Sequence, residues 1–289
     1  MPTEFSVAND DIMKVSSDML LLKHAGDFYA ADESVAALLL NTQRCSREEL
    51  QLLPDQHVII DTRGAMGPKR VMFLGTAGIG QFGYAEMQHF ASLAIEILSQ
   101  QDFTVRKLTT TIHGAGYGMD AEESMLSLVQ GFETTLAAHD QLKISEICFV
   151  EHGARRARLL ATALLGRLTS VARRSPQDTG KAIGTGFFEF AGSNPHIDPI
   201  LATPSIGSTN KSKASGVRCH VFSEDFEDVY EYGIYTPVRN CGLICEKTSE
   251  SAFTGDILRR IQERFETAEV VVTDLTGGRP NVYLEVGYA

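Results

Sequence analysis

Short apolar runs and helix-spaced apolar stripes alternate along this chain. Residues 12–22, I-M-K-V-S-S-D-M-L-L-L, read as one buried strand or two. Residues 32–40 follow with helical spacing and Asp32 as a cap. A short apolar piece at 57–60 precedes the strand-like V-M-F-L-G at 71–75. Residues 86–99 place Met87, Phe90, Leu93, Ala94 and Leu98 at helical intervals. A strand ending near Ile112, a glycine loop, a helix over 121–138, a strand over 144–150 and a helix over 154–171 complete this part. Strands alternating with helices of these lengths predict parallel pairing and a three-layer α/β sandwich.

Between about 175 and 215 the rhythm stops. The stretch is rich in Gly, Ser, Pro, Thr and Asn, and Phe187, Phe188 and Phe190 are its only strong anchors. A connection this long marks a boundary, giving domains over 1–172 and 216–289 joined by a linker over 173–215. The second domain predicts strands at 217–222, 243–246 and 270–274, with helices at 226–238 and 253–265 between them. Residues 270–274 are apolar until Asp274, as a central parallel strand would be.

Composition sharpens this picture modestly. Of 289 residues, 43% are hydrophobic and 22% charged, ordinary for a chain with a real core. The net charge is −11, and residues 1–170 carry 14 basic and 21 acidic side chains. Neither domain has the basic excess that a phosphate backbone requires, so nucleic acid is not expected as a partner. A small anionic ligand stays open, because backbone amides bind phosphate even in an acidic protein. The five cysteines (45, 148, 219, 241 and 245) show no metal-ligand spacing beyond one C-x₃-C and read as reduced thiols. With no signal pattern and no apolar run near ~18 residues, a soluble, cytoplasmic protein away from membranes is expected.

Two places carry candidate chemistry. Ligands of open α/β sheets bind at the carboxyl ends of parallel strands, where Asp274 stands. A Gly-Gly-Arg-Pro turn then leads into a helix holding Glu285 about one turn in. Paired carboxylates at such a crevice suit sugar chemistry, one attacking or stabilising a cationic C1′. On composition alone, Asp274 reads as a turn or capping residue and Glu285 as a solvated helix position. In the first domain, T-I-H-G-A-G-Y-G-M at 111–119 lies between a strand and a helix, with Gly114, Gly116, Tyr117 and Gly118 able to bring amides to a diphosphate. G-T-A-G-I-G at 75–80 has an equivalent position. Neither fits the Walker lysine pattern or the full dinucleotide fingerprint. His24, His113 and His152 are isolated and read as core or loop histidines, and no metal is expected.

The ending T-D-L-T-G-G-R-P-N-V-Y-L-E-V-G-Y-A resembles the signature of the nucleoside 2-deoxyribosyltransferase-like families, related in fold to TIR-type NAD glycohydrolases. That resemblance covers 217–289. It implies a flavodoxin-like parallel sheet, with Glu285 as the nucleophile on the ribosyl C1′. Asp274 and Asn281 would help bind sugar and base, and Phe222, Ser223 and Glu224 would border the pocket. The run H-V-F at 220–222 departs from the Met-Pro-Phe frequent in relatives. Relatives also continue beyond the position of Ala289, so the domain reads as cut short there. Residues 5–170 resemble the macro-domain superfamily, in particular the macro-like N-terminal domain of leucine aminopeptidases. This implies an ADP-ribose-type ligand between G-D-F-Y-A at 26–30, starting at Gly26, and 114–118, with Asp18 as the adenine-binding carboxylate.

Together these resemblances imply a nucleotide sensor joined to an N-glycosidase-type effector that cleaves NAD or a nucleoside. Such a pairing belongs to antiviral defence and to self-associating proteins. NAD or an ADP-ribose-like nucleotide would be substrate or ligand, with no cofactor required. The alternative is a non-catalytic nucleotide-binding or scaffold protein. A peptidase is disfavoured, since no nucleophile–base pair or metal motif assembles.

Overall fold

The structure is a computed structural model that describes residues 3–78, 82–114, 118–174, 216–220 and 228–248, together with 268, 270–275, 283, 286 and 287; residues 168–174, 216–220 and 248 are described as backbone. The N-terminal unit contains β1 (Glu4–Asn9), β2 (Met19–His24), α1 (Ala31–Asn41), β3 (His57–Asp61), β4 (Arg70–Gly75), α2 (Tyr84–Ser99), β5 (Lys107–Thr110), α3 (Ala121–Leu136), β6 (Glu146–Glu151) and α4 (Ala154–Arg174). Its strands form one sheet in the order β1-β6-β5-β2-β4-β3. All pairings are parallel except that of β3 with β4.

Successive residues of a strand face opposite sides, and β2 buries both. Met19 and Leu21 enter a core with Met72, Phe149 and the apolar sides of α2 and α3. Leu20 and Leu22 enter a second core with Phe73 and with Val35 and Leu39 of α1. Burying a Leu, Val or Phe side chain contributes roughly 1.5–3 kcal/mol, so neither face of the strand can be left open. The result is the expected three-layer α/β sandwich. The stripe Met87, Phe90, Ala91, Ala94, Leu98 faces α2 inward. Gly131 lets α3 approach closely, because a Cβ there would collide with the Gln88 carbonyl oxygen.

Besides the antiparallel β3, which departs from the expected parallel pairing, two details differ from the sequence reading. The first strand is β1, which the apolar pattern does not reveal. As an edge strand it buries chiefly Phe5, leaving most of its residues half-buried or exposed. Residues 12–15 turn rather than extend, with the Lys14 and Val15 amides donating to the Asp11 carbonyl. Ile12 still reaches the α1-side core from this turn. Apolar content there reflects burial, not strand geometry.

The C-terminal unit contains β7 (Gly216–His220), a π-helical segment (Val229–Tyr235) continuing as α5 (Thr236–Asn240), β8 (Ile244–Thr248) and β9 (Val270–Thr273). The three strands are parallel in the order β8-β7-β9. Among the described residues β7 is therefore central, where the sequence suggested 270–274, and Val270 is exposed. The expected regular helix over 226–238 changes character near Pro237, which carries no amide hydrogen to donate. Residues 175–215, which hold most of the expected linker, and the expected helix over 253–265 lie outside the described residues.

Candidate functional site

Five parallel strands put their carboxyl ends on one edge of the N-terminal sheet, and a cleft of about 440 Å³ opens there. Asp10 to Met13 after β1, Lys23 near the end of β2, Thr111 to Gly114 after β5 and Val150 to His152 at β6 line it. Tyr29 to Asp32 and Arg156 close the remaining sides, from the start of α1 and the first turn of α4. Ala30 holds φ +52°, a region that residues with a Cβ rarely occupy, immediately before α1. Backbone held this way concentrates at ligand-contacting positions. Gly114 has φ +84°, and a Cβ there would press on Met87 and Met119.

The cleft floor is charged. Lys23 Nζ stands 3.1 Å from Asp32 Oδ2, and both side chains are 6% exposed. Burial pushes the Asp32 carboxyl above its ordinary range, and Lys23 only partly offsets that. Among the described residues, none donates a hydrogen bond to Asp32 Oδ1. A buried carboxylate oxygen without a donor is costly, so this atom is suited to a donor from a ligand. Asp11 is the opposite case. Its Oδ1 accepts the Met13 amide at 3.0 Å and Oδ2 lies 3.3 Å from Lys14. The Met13 hydrogen bond, helped by Lys14, holds it below the usual carboxylate range.

Glu151 and Arg156 form a wall of this cleft. Glu151 accepts both Arg156 Nε (2.7 Å) and Nη2 (2.9 Å), and also the Gly153 amide at 2.7 Å. His113 is enclosed below, its ring edge-on to Phe90 at 4.8 Å and near the hydroxyls of Thr110 and Thr111. On the far side of Glu151, His152 and Arg156 lies a second cavity of about 560 Å³. Its other walls include Asp120, Arg155, Tyr230, Tyr235 and Lys247, so it is shared with the C-terminal unit.

The residues expected from sequence fall into three groups. Gly114 lines the cleft and Gly118 lines the neighbouring cavity, while Gly26 (φ +81°) shapes the β2–α1 connection without lining either. Asp18 stands at the amino end of β2, across the sheet from the cleft. There it accepts Lys69 Nζ at 2.8 Å and the amides of Arg106 and Lys107 at 2.9 and 3.1 Å, fastening the start of β5. The cleft-lining carboxylates are instead Asp10, Asp11, Asp32 and Glu151. Asp274 directly follows β9 and is half-buried, so it does sit at a parallel strand end. Gly116, Tyr117, Phe222, Ser223, Glu224, Asn281 and Glu285 lie outside the described residues. Among the described residues no cluster could hold a metal ion, and no helix is long and apolar enough to cross a membrane.

Lys23 was the missed signal, a cation following the apolar run M-L-L-L within a wholly buried strand. A charge at that place in a buried strand needs a partner, and Asp32 is the acidic residue that α1 brings to it.

Burial holds the His113 imidazole well below its ordinary 6.5, with Lys23 adding to the effect. Because that value is depressed, its contribution to stability is full above about pH 6.5 and is lost as pH falls, since only the unfolded state takes up the proton. Denaturant unfolding between pH 7.5 and 5.5 should therefore show a steeper acid loss in the parent than in His113→Gln. The difference approaches about 1.4 kcal/mol per pH unit below 6.5, and parallel slopes would contradict the buried neutral state.

No protein-family model matches the chain, and no curated protein matches it. Among solved structures the chain is similar to the Oceanobacillus iheyensis macrodomain with MES bound, at 12% identity and a TM-score of 0.44, over 57% of this chain and 92% of that one. It is also similar to the Trypanosoma brucei macrodomain in complex with ADP-ribose, at 8% identity and a TM-score of 0.43, over 55% of this chain and 68% of that one. The same Trypanosoma protein in complex with ADP gives 9% identity and a TM-score of 0.43.

Proposed function

We propose that the N-terminal cleft binds an ADP-ribose-type nucleotide. The observation that carries this reading is the cleft-lining Asp32, whose buried Oδ1 receives no donor from the described residues while Oδ2 faces Lys23. A sugar hydroxyl satisfies such an oxygen, whereas a phosphate placed there would be repelled. Phosphates fit instead on the side of Gly114, away from Asp32, where backbone amides can meet negative charge. Asp11, held ionised, is the acceptor suited to an exocyclic amine of a purine. The resemblance of residues 5–170 to macro domains supports the same ligand class.

The C-terminal unit is proposed to be an N-glycosidase-type domain acting on NAD or a nucleoside, with Glu285 as nucleophile and Asp274 and Asn281 positioning the sugar. The specific observation favouring it is the three-stranded parallel sheet with Asp274 immediately after β9. In this reading the chain is a sensor joined to an effector, of the kind used in antiviral defence, and it self-associates. A non-catalytic nucleotide-binding protein is the rival, and the two differ in whether product forms.

Calorimetric titration of the full chain with ADP-ribose and with ADP tests the cleft. Asp32→Asn is expected to weaken ADP-ribose by about 1.5–3 kcal/mol, the range for a hydrogen bond to a charged group, and to leave ADP unaffected. Equal losses for both ligands would assign Asp32 a structural role only, and an absence of binding by the parent would overturn the nucleotide reading. Incubation with NAD or a deoxynucleoside should release the free base, and Glu285→Gln should abolish the release. Base release persisting in Glu285→Gln rules out that nucleophile, and none from the parent favours the rival.

A further inference from the structure

Two stretches of the N-terminal unit have one end on the cleft and the other on residues 228–248. The first is the β5–α3 connection. Gly114 lines the cleft, and Gly118, downstream, accepts the Lys247 amide at 2.9 Å. Asp120 then caps α3 by accepting the Glu123 amide at 3.0 Å. Its carboxylate, with no exposed surface, also accepts the Cys245 amide at 3.1 Å and the Tyr235 hydroxyl at 3.4 Å. The Tyr84 hydroxyl reaches both sides, accepting the Asp120 amide and donating to Glu246 at 3.0 Å.

The second stretch is the first turn of α4. Arg156 turns toward the cleft and forks onto Glu151, while its neighbour Arg155 turns away to Asp228 at 2.9 Å and to Glu231. Glu151, His152 and Arg156 are therefore the partition between the cleft and the cavity against the C-terminal unit. Across the interface, Arg239 faces Asp120, Glu122 and Glu123, at 3.5, 3.1 and 3.9 Å. Burial pushes the carboxyls of Glu122 and Glu123 upward, and Arg239 opposes that shift. Without the arginine, this end of α3 would hold three carboxylates in close company.

The docked segment thus fixes the downstream end of the connection that begins on the cleft, together with the turn that carries its wall. Order already imposed by one contact is not charged again to the next. We propose that docking of residues 228–248 and occupancy of the cleft stabilise each other, so that the affinity of the N-terminal unit for its nucleotide depends on contact with the C-terminal unit. The coupling rests on the nucleotide reading above and must run in both directions.

The experiment uses the full chain and ADP-ribose as probe. Arg239→Glu places a fourth carboxylate at the interface and Arg155→Ala cuts the α4 link, and neither side chain lines the cleft. The Kd for ADP-ribose is expected to rise roughly fivefold or more in Arg239→Glu, within the usual span of coupling between sites, and less in Arg155→Ala. Reciprocally, ADP-ribose should slow hydrogen exchange at the Cys245 and Lys247 amides of the parent, a readout that holds even if Arg239→Glu fails to fold. Unchanged affinity in a folded variant, or exchange at those amides indifferent to saturating ADP-ribose, overturns the coupling alone. A parent that binds no ADP-ribose overturns the coupling and the nucleotide reading together.

Discussion

Five of the six strands in the N-terminal sheet share one direction, and the chemistry of that unit follows from it. Parallel neighbours must be joined by crossovers, which collect the carboxyl ends of those five strands on one edge of the sheet. Lys23, Gly114 and Glu151 are far apart in sequence and meet because β2, β5 and β6 run the same way. The same rule sends Asp18 to the opposite edge, since it precedes β2 rather than following it. Its bonds to Lys69 and to the start of β5 make it a fastener of the sheet.

Burying charge is costly unless partners restore what water supplied. Asp120 is fully supplied by backbone amides, a tyrosine and an arginine, and it holds two parts of the chain together. Glu151 is likewise satisfied by Arg156 and Gly153. Asp32 differs, with one oxygen on Lys23 and no donor to the other among the described residues. Buried ion pairs are weak arguments for stability, which agrees with the ligand contact proposed for Asp32. The contrast between these carboxylates separates the site from its scaffolding.

Much of the fold was legible in the sequence. The runs that became β2, β4 and β6 are apolar on both faces because helices cover both faces, and the stripe Met87, Phe90, Ala94, Leu98 could only be a helix. β1 escaped because an edge strand needs little apolar surface, and β3 because a short strand gives no sign of its direction. Within the site, Gly114 was legible as a glycine after a strand. Lys23 and Asp32 were not, since their pairing depends on how α1 folds back across the strand end. The contacts of Asp120 with residues 235–245 join positions more than a hundred residues apart, and no local pattern announces them.

The proposed roles of Asp32, Gly114 and Asp11 depend on where a nucleotide sits. A crystal structure of the full chain with ADP-ribose tests them most directly. The expected result places the ligand in the cleft, its terminal sugar donating to Asp32 Oδ1, its phosphates near Gly114 and its base toward Asp11. Ligand bound instead in the cavity beside Tyr230, or bound in the cleft with a phosphate against Asp32, would contradict them.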